Sequence, residues 1–162
     1  MKKRVLSLLV DNTSGVLSRV AGLFSRRGYN IDSLVVSPTL NPEFSRMNIV
    51  ARGNPEILMQ IIKQLEKLVD VVHAKDHTNM NVVEKELALI KLSCSSEERT
   101  EILQLCEHFK ASTVDMTENS MIIQITGNTD KIDAMKNLCS KFEIVEYIRT
   151  GKVIMLRGKD KT

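Results

Sequence analysis

The sequence predicts an α+β protein built from two ferredoxin-like βαββαβ units in tandem, on three observations. Apolar runs of strand length alternate with stretches whose apolar residues recur every three or four positions. The order strand, helix, strand, strand, helix, strand is complete within residues 1–76 and begins again at Val83. The 162 residues are 43% hydrophobic but include no Trp, 2 Tyr and 4 Phe, so the cores must be built from aliphatic side chains and Met.

The first strand, Arg4 to Val10, stops at Asp11. Val16, Val20, Leu23 and Phe24 then keep helical spacing, which leaves only Asn12 to Gly15 for the connection. Arg26 and Arg27 suit the negative end of the helix dipole, and Gly28 stops the helix. Tyr29 to Ser37 alternates as a strand, Pro38 to Pro42 turns, and Arg46 to Ala51 returns as its neighbour. Asn54 is a natural N-cap and Pro55 a natural first helical residue. Ile57, Leu58, Ile61, Ile62, Leu65 and Leu68 draw one stripe down the helix that follows, and Val69 to Ala74 closes the unit as a strand.

The second unit repeats the order. Leu87 to Leu92 reads as a strand, and Ile102, Leu105, Cys106 and Phe109 mark a helix. Ser112 to Met116 and Ser120 to Thr126 read as strands around a Glu118-Asn119 turn. Ile132, Met135, Leu138, Cys139 and Phe142 mark the last helix, before a strand over Ile144 to Ile148 and an edge strand over Val153 to Leu156 that follows a turn at Gly151. The domain boundaries expected from this reading are 1–76, a linker over 77–82, and 83–162. Helices on one sheet face leave the other to solvent, a ligand or another chain. Val5, Leu9, Leu34, Val36 and Ile49 supply more apolar surface than one small core consumes, so a homodimer is expected.

The composition also excludes function classes. A net charge of +3, with basic clusters at the two termini, is no nucleic-acid binder's stripe. No apolar run approaches the length of a membrane span and no export signal is read, so a cytoplasmic protein is expected. Cys94, Cys106 and Cys139 are odd in number and lack ligand spacing, which suits reduced core thiols. His73 and His77 do not share a helix face and His108 is distant, so no metal site is expected. Met47, Met116, Met121 and Met135 read as packing residues. Asp11 has no paired acid or base in local sequence and reads as a turn residue or a hydrogen-bond partner in the loop. No catalytic residue is expected.

The informative segment is Asn12-Thr13-Ser14-Gly15, an amide, two hydroxyls and a glycine directly before a helix. Helix N-termini leave backbone N–H groups free for an anion. The loop lacks both G-x-x-x-x-G-K-S/T and G-x-G-x-x-G, so a zwitterionic amino acid suits it better than a nucleotide. A second reading stays open, in which Thr13 or Ser14 caps the helix and nothing binds. Asn30 is open in the same way, between a local cap and a contact to a ligand held at the loop of a symmetry mate.

Val10 to Leu34, then Ser45-Arg46-Met47, Gln64 to Val71, Glu84-Lys85-Glu86-Leu87 and Arg149-Thr150-Gly151 closely resemble the small regulatory subunit of acetolactate synthase, also called acetohydroxyacid synthase. The first unit resembles an ACT domain. The resemblance implies a non-catalytic protein that activates a large catalytic subunit and confers valine feedback inhibition in branched-chain amino acid biosynthesis. Thiamine diphosphate, Mg2+ and FAD are then expected in the catalytic partner and no cofactor in this chain. It also implies ACT domains paired as a homodimer with valine at their interface. The matching positions are Asn12, Gly15, Val16 and Asn30, with Leu9 or Val36 at the apolar end. The alternative is a stand-alone ACT-type amino-acid sensor or transcriptional regulator; DNA binding by the latter would be accompanied by a helix-turn-helix or a basic stripe, and neither is evident.

Overall fold

The computed structural model describes residues 3–162. Its elements are β1 (Lys3–Asp11), α1 (Val16–Arg26), β2 (Asn30–Pro38), β3 (Phe44–Arg52), α2 (Pro55–Leu65), β4 (Val71–Asp76), β5 (Val82–Ser93), α3 (Ser96–Phe109), β6 (Ser112–Met116), β7 (Ser120–Gly127), α4 (Thr129–Cys139), β8 (Glu143–Arg149) and β9 (Val153–Leu156). No helix among the described residues is long and apolar enough to cross a membrane.

Both units have the expected topology. The first sheet runs β2-β3-β1-β4 and the second β6-β7-β5-β8, with β9 also pairing with β5. Neighbouring strands are antiparallel wherever a register is defined. The reason is the alternation along each strand. In β1, Leu6, Leu8 and Val10 are buried with Met47, Ile49 and Ala51 of β3 beneath α1 and α2. Val16, Val20, Leu23 and Phe24 from α1 and Leu58, Ile61 and Leu65 from α2 complete this core. Each fully buried side chain of this kind contributes about 1.5–3 kcal/mol. The second core is assembled alike from Ala88, Ile90 and Leu92 of β5, Met121, Ile123 and Ile125 of β7, and Ile102, Cys106, Ile132, Met135 and Cys139 of the helices.

The structure departs from the sequence reading in several places, among them β5, which begins at Val82 rather than Leu87 and takes in the last residue of the expected linker. β4 starts at Val71 rather than Val69, because Leu68 to Asp70 turn back from α2 and Val69 is almost wholly exposed. Ile49 and Leu34 belong to the core side of the first sheet, so they contribute nothing to an open face. Met116 lies exposed on the edge strand β6, while Met47, Met121 and Met135 pack inside. The compact units are Met1–Val83 with Gly151–Thr162, and Glu84–Thr150. Residues 151–162, grouped by sequence with the second domain, therefore pack with the first unit. The first sheet's second face is thus not simply open: Ser7 and Asn48 point away from the helices and are buried all the same.

Buried thiols and ion pairs behave as structural groups. Cys94, Cys106 and Cys139 are free and buried, and burial pushes the Cys139 thiol up to about 11. In the second unit Glu86 is buried and receives bonds from Arg149 and from Thr129 Oγ1 at 2.5 Å. Burial disfavours the Arg149 charge, but Glu86 and Asp133 hold the guanidinium firmly protonated.

Candidate functional site

The loop Asn12–Gly15 joins β1 to α1 at one end of the first sheet. Gly15 occupies the N-cap position with φ +85°, in the left-handed region, and no side chain caps the helix. The alternative in which Thr13 or Ser14 caps α1 is therefore excluded. The left-handed φ is what calls for glycine here, and a side chain would also have to displace the tip of Arg19. An L side chain is strained at this φ, and a Cβ would stand 2.9 Å from Arg19 Nη1.

The N-termini of the other helices differ. Asn54 accepts from the Glu56 amide, Ser95 and Glu98 form a reciprocal capping box, and Asn128 accepts from the Lys131 amide. All three also carry an acid in the first turn, namely Glu56, Glu97 with Glu98, and Asp130, whereas α1 has none. The positive end of the α1 dipole is left without a side-chain counter-charge, and its first N–H groups without a side-chain acceptor. Val16 is buried in the core, which leaves its backbone N–H as the group it presents toward the loop.

The rest of the loop is braced. The Asn12 amide donates to the Glu43 carbonyl at 2.7 Å and its side chain to the Pro42 carbonyl at 2.9 Å. Asp11 ends β1 opposite Phe44, and its amide donates to the Asp70 carbonyl at 2.8 Å. Arg19 Nε donates to Asp70 Oδ2 at 2.6 Å, which stations the guanidinium beside Gly15. Arg19 and Asp70 were not singled out from sequence. The signal available was the four-residue step from Gly15 to Arg19, which places a helical side chain back over the cap.

The remaining predicted site residues are dispersed within one chain. Asn30 pairs with Arg52, and Arg52 with Lys3, so Asn30 stands at the start of β1 while the loop follows its end. Nine residues of strand separate the two ends, about 26 Å. There Asn30 Nδ2 donates to Asp32 Oδ1 at 3.4 Å. Gly28, at φ +67°, ends α1 as predicted. Leu9 and Val36 occupy opposite faces of the sheet. Leu9 aligns with Arg46 and His73, away from the helices, while Val36 aligns with Met47 on the helix side and is 41% exposed. Only Val36 shares the side of the sheet on which α1 lies.

Among the described residues no three His, Cys, Asp or Glu side chains converge on a common metal position. His73 approaches Arg46, and His108 packs edge-on against Phe109.

Comparison with known proteins is consistent along the whole chain. Residues 6–73 match the family described as "AHAS small subunit-like ACT domain", and residues 85–158 match "Small subunit of acetolactate synthase". A probable acetolactate synthase small subunit of Archaeoglobus fulgidus is 45% identical over 159 residues, covering 98% of this chain and 99% of that protein. The isozyme 3 small subunit of Salmonella typhimurium is 44% identical over 157 residues, 96% of each chain. The crystal structure of the acetolactate synthase small subunit from Thermotoga maritima superposes with a TM-score of 0.89 at 39% identity, over 99% of this chain and 100% of that one.

Proposed function

The chain belongs to the acetolactate synthase small-subunit family, and from that premise we propose that it activates a large catalytic subunit and carries valine feedback inhibition to it. The observation that carries the valine assignment is the N-terminus of α1. It is the helix among four that opens without a side-chain cap or a first-turn acid. An amino-acid carboxylate supplies both missing features, an acceptor for the N–H groups and a negative charge on the dipole. The Arg19 guanidinium beside Gly15, whose charge is met by Asp70, adds further N–H donors at the same point.

The pocket in this reading needs two copies of the chain, because Asn30 and the loop stand at opposite ends of one sheet. β2 is the edge strand of that sheet, with β3 as its neighbour. A second β2 added antiparallel about a two-fold axis near Leu34 brings the partner subunit's Asn30 alongside Pro38, at the loop end of the sheet. Val36 then supplies apolar contact on the helix side, and Leu9 is not part of the pocket. Valine acts by favouring one arrangement of the regulatory dimer; a ligand that bound both arrangements equally would shift nothing. The bond-making chemistry, with thiamine diphosphate, Mg2+ and FAD, is assigned to the catalytic partner.

Acetolactate production by the cognate large subunit, with and without this chain and across a valine titration, tests both parts. Activation with valine inhibition that weakens in Asn12→Ala supports them. No activation by the folded chain overturns the partner role, and activation without a valine response overturns the sensing role alone.

A further inference from the structure

The face of the first sheet opposite its helices is polar where a buried face would ordinarily be apolar. The register of β1 with β3 and β4 directs Ser7, Arg46, Asn48, His73 and Lys75 to it, together with Val5, Leu9 and Val50. His77 follows, with its amide donating to the Val5 carbonyl at 2.8 Å. Ser7, Asn48, Val50 and His77 are nevertheless buried.

A later segment of the same chain lies against this face. At its start Gly151 approaches β2 so closely that a Cβ would come within 2.9 Å of Val35 Cγ2 and 3.0 Å of Ser33 Cβ. Further on, the Arg157 amide donates to the Asn81 carbonyl at 3.2 Å, and the Leu156 amide to Thr162 Oγ1 at 2.9 Å. At the far end the Thr162 carbonyl accepts from Arg46 Nη1 at 2.8 Å, with His73 Nε2 at 3.2 Å.

The packing is that of a cover rather than a core. Ile154 is the buried large apolar side chain of the segment, while Val153 and Met155 are 50% and 68% exposed. On the sealed face, Asn48 Oδ1 and both ring nitrogens of His77 are buried without a hydrogen-bond partner. Such atoms favour any arrangement in which water reaches them. β9, in the middle of the segment, pairs with β5, and against this face the segment is also held by the close seat of Gly151 and the Arg46 bond to Thr162.

We propose that residues 151–162 form a detachable strap. Docked, it seals the face of the first sheet opposite the helices. Released at Thr162 and Arg46, with β9 unpaired from β5, it exposes Ser7, Arg46, Asn48 and His73. This strap is independent of any ligand at Asn12–Gly15.

Amide hydrogen exchange on the full chain at pH 7.5 tests the strap, with Arg46→Gln and Gly151→Val as variants. The expected result in the unmodified chain is exchange of residues 153–162 at least tenfold faster than that of β1 and β3. Each variant should accelerate the segment a further tenfold or more, with β1, β3 and α3 unchanged. Equal protection of the segment and of β1 and β3, lost together in the variants, would make the segment an integral part of the first core and overturn the proposal. If Arg46→Gln does not fold, Gly151→Val decides alone, because it leaves every sheet residue in place; unchanged segment exchange in that variant overturns the strap.

Discussion

The two units repeat one topology, and they differ most at the same topological point, the turn from first strand to first helix. In the second unit that turn is chemically closed. Ser95 accepts from the Glu98 amide, the Glu98 carboxylate accepts from the Ser95 amide at 2.8 Å, and Glu97 and Glu98 set negative charge on the dipole. In the first unit the turn is open, with a left-handed glycine, no cap and no acid. The fold therefore supplies the same scaffold twice, and a few residues decide whether a helix end is capped by its own side chains or left open.

The faces opposite the helices differ as well. On the second sheet Leu87, Leu89 and Ile122 alternate with the buried row, and Ile148 of β8, aligned with Leu89, is 55% exposed. Both faces mix polar and apolar side chains: Lys91, Gln124 and Glu146 share the second sheet's face, while Val5, Leu9 and Val50 stand with Ser7, Arg46, Asn48 and His73 on the first, where Ser7, Asn48 and Val50 are buried.

Substitutions at the two turns break the comparison most sharply. Gly15→Val puts a β-branched residue at φ +85° and a Cβ against Arg19. It is expected to destabilise the chain by about 1–3 kcal/mol, measured by urea unfolding. Calorimetric titration should show valine binding weakened at least about 100-fold, about 2.7 kcal/mol. If Gly15→Val binds valine normally, the open turn is not the sensing element.

Next in size, Asn12→Ala and Asn30→Ala should each weaken valine inhibition about tenfold, or about 1.4 kcal/mol. The two variants sharpen the dimer argument when mixed. A heterodimer of the two has one doubly altered pocket and one intact pocket, and random pairing makes about half of the dimers heterodimers, so about a quarter of the valine sites should recover full affinity. No recovery on mixing would place both residues in one chain's pocket, contrary to the 26 Å separation estimated from the strand.

Ser95→Ala is the control from the second unit. Loss of its cap is expected to destabilise the chain by about 1 kcal/mol, read as a lower urea midpoint, while the valine inhibition curve stays where it was. A shifted curve would show that the second unit's helix end also takes part in sensing.

The smallest expected effect is that of pH. Burial lowers the His77 pKa from 6.5, with Lys75, Arg46 and His73 acting in the same direction and Asp76 against them. The unfolded chain therefore binds this proton more readily than the folded one, and stability rises with pH. The contribution of His77 is complete above 6.5 and is lost as pH falls through its lowered folded value. Urea midpoints compared at pH 7.5 and 5.5 should show His77→Gln flattening the dependence; an unchanged slope would assign it to other groups.

Much of the fold was legible in the sequence because the strands and helices of both units carry strong periodicity and explicit stops. The Asn54-Pro55 helix start, the Gly28 stop and the Glu118-Asn119 turn are decided by residues within a few positions of one another. The loop Asn12–Gly15 was legible for the same reason. Its ambiguity between cap and ligand site was not, since Thr13 and Ser14 are both competent caps in isolation and only the left-handed Gly15 takes the cap position.

By itself, then, the sequence determined the element order, the two cores and the glycine-ended loop, all of which follow from local spacing and short-range backbone preference. Tertiary structure alone decided three further matters: that Asn30 and the loop lie at opposite ends of one sheet, that Leu9 and Val36 face opposite sides, and that residues 151–162 return to the first unit. Each depends on strand register or on contacts between residues far apart in the chain. Arg46 and Thr162 are 116 positions apart, and no local pattern encodes such a meeting.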